Sequence, residues 1–109
     1  MSDAENTGFD ARQATIDEVV TSWPEVKGKN VFGHRGYVRV GRMFGFLHPD
    51  GVAVKAWADE AEELYRIEGV TAFSYNSMEM RAWPILPLRS DAEIDGVIER
   101  LHHAYEQAV

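Results

Sequence analysis

Cysteine is absent from the 109 residues. That absence removes a disulfide framework, a thiol nucleophile and thiolate zinc ligation together, and it agrees with a reducing compartment. No apolar run approaches the roughly 18–20 residues that cross a bilayer. The polar, acidic start MSDAENTG lacks the basic-then-apolar profile of an export signal. The expectation is a cytoplasmic protein with no membrane association. A phosphate-cradling loop is missing as well: glycines 33, 36, 41 and 45 are followed by no Gly-Lys-Ser/Thr and do not lead into a helix. Positive charge is scarce, with 11 Lys and Arg against 18 Asp and Glu, and the net charge of −7 disfavours polyanionic partners for the molecule as a whole.

What is present suits one globular domain. The chain is long enough for one unit and too short for two, and a hydrophobic content of 45% with 11% aromatics fills a core without staples. Residues 1–8 read as a disordered tail and 9–109 as the single domain. The few cations are concentrated: Lys27, Lys29, Arg35, Arg39 and Arg42 lie in one acid-free segment, which is +5 and leaves −12 for the remainder. Solvated basic residues also serve strands as protection against edge pairing, so charge alone does not assign a function here.

The periodicity gives the elements. Ile16, Val19, Val20 and Trp23 have the i, i+3, i+4, i+7 spacing of one helix face. Two starts compete, a capping box at Thr15 and Glu18 and an earlier one at Asp10 and Gln13, and Pro24 ends the helix. Lys27–Asn30 reads as a polar linker. From Val31 the period becomes two, with Val38 and Val40 on one side and Arg35, Tyr37 and Arg39 on the other. Met43–His48, the turn Pro49-Asp50-Gly51 and Val52–Trp57 form a hairpin, with Phe44, Phe46, Val52 and Val54 as its core residues. Ala58–Glu68 is a short helix closed by Gly69, with acids in its first turns to complement the helix dipole. Thr71–Tyr75 and Met80–Leu88 are strands around Asn76-Ser77, and Pro84 and Pro87 place the second of them at a sheet edge, or at least in short pieces. Ser90 and Glu93 make a capping box for a last helix with the stripe Ile94, Val97, Ile98, Leu101, Tyr105 and Ala108.

The order α-β-β-β-α-β-β-α with tight turns predicts an α+β domain: a two-layer, five-stranded antiparallel sheet with helices on one face. Met43-Phe44-Gly45 opening a strand, the glycine turn, Val52-Ala53-Val54-Lys55 running into an acidic helix, and the later Gly69–Tyr75 run with Trp83 and Pro87 resemble the MmcQ/YjbR family and the related N-terminal domain of TfoX-like competence regulators. The resemblance covers roughly residues 13–107 and rests on the order of the motifs. It implies a fold like that of type III secretion chaperones and CyaY-type domains. It also implies a DNA-binding or transcription-related role, with no catalytic or ligand residues to carry over. The chain differs from TfoX-like proteins in ending after one domain and in placing Pro84 directly after Trp83.

Candidate chemistry is sparse. His48 stands two residues from Asp50, as a carboxylate-oriented base requires, but no nucleophile or oxyanion donor accompanies it. His102 and His103 point about 100° apart on one helix and cannot chelate one metal; Glu106 and Glu99, one turn away, are their expected partners. Asp59, Glu60, Glu62 and Glu63 lack the spacing of a calcium loop. No enzyme, metal or cofactor is expected. Lys55 and Trp57 share a face with Ala53, and an open sheet face would unite them with Arg35, Tyr37 and Arg39. The expected function is a small interaction or regulatory domain using that basic and aromatic face toward a protein partner or a second copy. Nucleic-acid binding through Lys27, Lys29, Arg35, Arg39 and Arg42 is the alternative.

Overall fold

The structure is a computed structural model that describes residues 2–108, with side chains from Gly8 onward. Helix α1 spans Ser2–Thr21 and is followed by β1 (Val26–Val31), β2 (His34–Arg39), β3 (Arg42–His48) and β4 (Gly51–Val54). Next come α2 (Ala58–Tyr65), β5 (Thr71–Tyr75), β6 (Met78–Leu86), a 3₁₀ turn at Asp91–Glu93 and α3 (Ile94–Gln107). The tail was expected at residues 1–8 and the helix from Asp10 or Thr15, whereas α1 begins at Ser2; the side chains of residues 1–7 lie outside the described residues. Thr15 does not open a helix; its hydroxyl donates to the Ala11 carbonyl within α1. At α3 the Glu93 carboxylate accepts from the Arg89 backbone N–H, so the acid of the expected box is used while Ser90 makes no side-chain cap.

The sheet is antiparallel and has six strands, in the order β1-β2-β3-β4-β6-β5, one more than expected. The added strand is the stretch read as a linker: Val26–Val31 pairs along its whole length with β2. Its composition hid it, because Lys27, Lys29 and Asn30 are what an edge strand carries against foreign pairing. The expectation of an edge at β6 is also corrected. β6 lies between β4 and β5, and Pro84 falls where the β5–β6 register shifts, so its missing N–H interrupts no regular ladder.

All three helices cover one sheet face. Ile16 and Val20 of α1, Leu64 of α2, and Val97, Leu101 and Ala104 of α3 join Phe44, Val52 and Val54 in the main core. Gly45 lets α3 approach: a Cβ there would lie 2.4 Å from Leu101 Cδ2. A register shift between Tyr37 and Val38 leaves Phe44 as an extra residue opposite them. The bulge reverses the alternation, so Phe44 joins the helix-side core while Phe46 enters a second core on the other face.

That second core has no helix over it. It consists of Phe46, Ala53, Phe73, Trp83 and Ile85. The sheet stays open, with β1 and β5 at its edges, but it curls so that Phe32, at the β1–β2 turn, lies 5.4 Å from Phe73 and 4.8 Å from Tyr75 on β5 (ring centroids). Asn76 and Ser77 both have positive φ, which matches the turn that joins twisted strands in a two-residue hairpin and lets β5–β6 fold across.

Candidate functional site

The side chains expected on an open face are divided between the two faces. Tyr37 is fully buried on the helix side, and its hydroxyl donates to Asp17 Oδ1 at 2.8 Å. Arg35 Nε donates to the same oxygen at 2.9 Å. Burial, with Asp17 beside it, pushes the Tyr37 phenol far above its ordinary pKa, so it stays a donor. Arg39 pairs with Glu25, donates to the Tyr105 carbonyl at 2.9 Å and sits 4.1 Å from the centre of the Tyr105 ring. Arg35, Tyr37 and Arg39 therefore tie the sheet to α1 and α3. The expectation that they face outward fails because α1 presents Asp17 to them, and burying an arginine stem against a helix is favourable when its head finds a carboxylate.

Strand alternation sends the neighbours of Tyr37 the other way. His34, Gly36 and Val38 face the helix-free side, and the register sets Lys29 opposite Gly36 and Lys27 opposite Val38. The same face carries Met43, Phe46 and His48 on β3, Ala53 and then Lys55 after β4, Trp83, Met80 and Met78 on β6, and Phe73 and Tyr75 on β5. Lys55 Nζ stands 5.3 Å from the centre of the Trp83 ring. No strand position on this face holds Asp or Glu, in a chain that has 18 acids. Phe32 (38% exposed), Tyr75 (46%) and Met78 (68%) form its uncovered apolar part.

His34 and His48 close one end, with ring centroids 5.3 Å apart; His34 is stacked on Phe46 and His48 meets Phe73 edge-on. His48 Nδ1 accepts from the Asp50 backbone N–H at 3.0 Å, whereas the Asp50 carboxylate is 3.8 Å away. The neutral ring therefore carries its proton on Nε2, and Asp50 does not orient it as a base. Burial lowers the His48 pKa, Asp50 opposes that shift and His34 adds to it. On α3, His102 meets Glu106 as expected, but His103 reaches Glu60 of α2 rather than Glu99. Among the described residues no three potential ligands gather around a metal position.

Arg42, Lys55 and Trp57, the other expected site residues, meet at one place. They line a cavity of about 230 Å³ under the last turn of α3, with Met43, Phe44 and Ala104 around it. Trp57 is about half exposed there. The residues that the sequence reading missed are Phe32, His34, Tyr75 and Met78. The period-two series Phe73, Tyr75 and Met78, Met80 placed part of this set on one strand face, but only the fold of the sheet brings Phe32 to it.

A scan against protein-family models finds none that matches the chain, and no curated protein matches it.

Proposed function

We propose that the protein is a non-catalytic interaction domain whose helix-free sheet face binds an acidic and apolar segment of a partner protein. The observation that carries this reading is the charge of that face: Lys27, Lys29 and Lys55 flank exposed Phe32, Tyr75 and Met78, with no carboxylate at any strand position. Tyr, Phe and Met are favoured at protein interfaces, and complementary charge sets orientation and association rate. A two-fold dimer through the same face would set lysine against lysine. A nucleic acid would find few accessible ring faces, since Phe46, Phe73 and Trp83 are almost wholly buried, and its backbone would run onto the acidic remainder of the surface. Kinship with MmcQ/YjbR-like proteins is part of the same proposal, supported by the order of the motifs between Met43 and Pro87.

Amide NMR titrations test it, using a short peptide of alternating glutamate and leucine and, separately, a short oligothymidine. The peptide is expected to shift residues 27–38 and 73–80. The double substitution Lys27→Glu with Lys29→Glu is expected to weaken it about tenfold, as losing charge-assisted contacts does. Saturable oligothymidine binding on the same amides, with no peptide binding, would replace the partner protein with nucleic acid.

A further inference from the structure

Six of the eight arginines have a carboxylate within 4 Å: Arg12, Arg35, Arg39, Arg81, Arg89 and Arg100. Arg42, Arg66, Lys27, Lys29 and Lys55 have none among the described residues, and of these Arg42 and Lys55 both line the cavity beside the end of α3. The C-terminal end of a helix attracts cations, but Arg39 already fills that role here by donating to the Tyr105 carbonyl. Neither the Arg42 guanidinium nor the Lys55 ammonium bonds a described backbone carbonyl, although the Lys55 backbone N–H donates to the Phe44 carbonyl. The rest of the lining is mostly apolar: Met43, Phe44, Ala104, Ala108 and the half-exposed Trp57, with Gln107 as the further polar side chain. Two of the five cations without a carboxylate partner line this one concave site in a chain of net charge −7, beside apolar side chains, and so form an amphiphilic receptor.

We infer that this cavity binds a small organic carboxylate. The acid group sits between the Arg42 guanidinium and the Lys55 ammonium, and the apolar body rests on Phe44 and Met43 against Trp57. A volume of about 230 Å³ admits a single-ring or short-chain acid and excludes a drug-sized ligand. Arginine's planar fork matches a carboxylate, and the apolar floor separates this ligand from inorganic phosphate, which has no body to bury. The site goes beyond the protein-binding reading of the sheet face and, of the residues that carry that reading, shares only Lys55.

The test is a titration of the full chain with benzoate, benzamide and inorganic phosphate, followed by tryptophan emission and by the amides of Ala104, Gln107 and Ala108. Benzoate is expected to bind saturably, with benzamide and phosphate each about tenfold weaker or more, as the loss of one charge-assisted contact gives. Arg42→Gln and Lys55→Met should each weaken benzoate about tenfold while thermal unfolding shows both variants folded. Trp57→Phe should abolish the emission change and keep the amide shifts, and Lys29→Gln should change nothing. Equal binding of benzoate and benzamide, non-saturable binding, or full affinity in Arg42→Gln and Lys55→Met would each overturn the inference. Because the glutamate–leucine peptide reports at residues 27–38 and 73–80, failure of the cavity and failure of the sheet face are read separately.

Discussion

Tyr37 contributes through its ring and through its hydroxyl, and two substitutions separate them. Tyr37→Phe removes one buried hydrogen bond to Asp17 while Arg35 keeps that carboxylate paired, so urea unfolding should show a loss of about 1 kcal/mol. Tyr37→Ala empties a fully buried site beside Phe44 and should cost about 3–5 kcal/mol. A binding defect in that variant would therefore report unfolding. At His48 the buried ring prefers the neutral form, so the folded chain binds fewer protons than the unfolded chain. Its contribution to stability is whole above the ordinary value of 6.5 and is lost as pH falls through the lowered folded pKa. The melting temperature should drop on acidification in this window, and His48→Gln should flatten that slope. Glu93, held low by Arg89, loses its share only in more acid solution, below the ordinary carboxylate value of 4.5, so the two effects separate on the pH axis.

Two glycines show opposite logic within elements. Gly96 lies inside α3, where a Cβ would meet nothing within 4 Å. Gly96→Ala should stabilise the protein by about 1 kcal/mol through helix propensity alone, readable in chemical denaturation. Gly51, at the start of β4, is fixed by close approach: a Cβ would sit 1.9 Å from the Leu86 carbonyl oxygen. Gly51→Ala must part β4 from β6 and should cost about 2 kcal/mol or more, with faster amide exchange across Val52–Ala53 and Ile85–Leu86. Elements with strong periodicity or turn chemistry were legible at this scale: the β3–β4 hairpin (with β4 ending at Val54 rather than at Trp57), the Asn76-Ser77 turn and the buried stripe of α3, though not its Ser90 cap. β1 was not legible, since a short polar edge strand takes its identity from the neighbour it pairs with. The Phe44 bulge was equally hidden, because period two in the sequence cannot show where a strand has one residue more than its partner.

For the molecule as a whole, the aromatic closure between the two edges of the open, curled sheet determines which surface is available. Phe32 spans the gap between the β1–β2 turn and β5, and Phe32→Ala should loosen that closure. Hydrogen exchange should accelerate in β5 and β6 more than in α1, with a stability loss of about 1–2 kcal/mol for a partly exposed ring. The sequence by itself determined the α+β class, the antiparallel pairing, the helix stripes and the confinement of basic charge, because these depend on contacts between neighbours in the chain. Only the tertiary structure decided which face each cation serves. Asp17 and Glu25, 18 and 14 residues before the arginines they pair with, draw Arg35, Tyr37 and Arg39 to the helix side. The twist of the β5–β6 hairpin gathers Phe32, Tyr75 and Met78 on the other. Both outcomes rest on pairings between distant residues, which the local pattern of either partner does not encode.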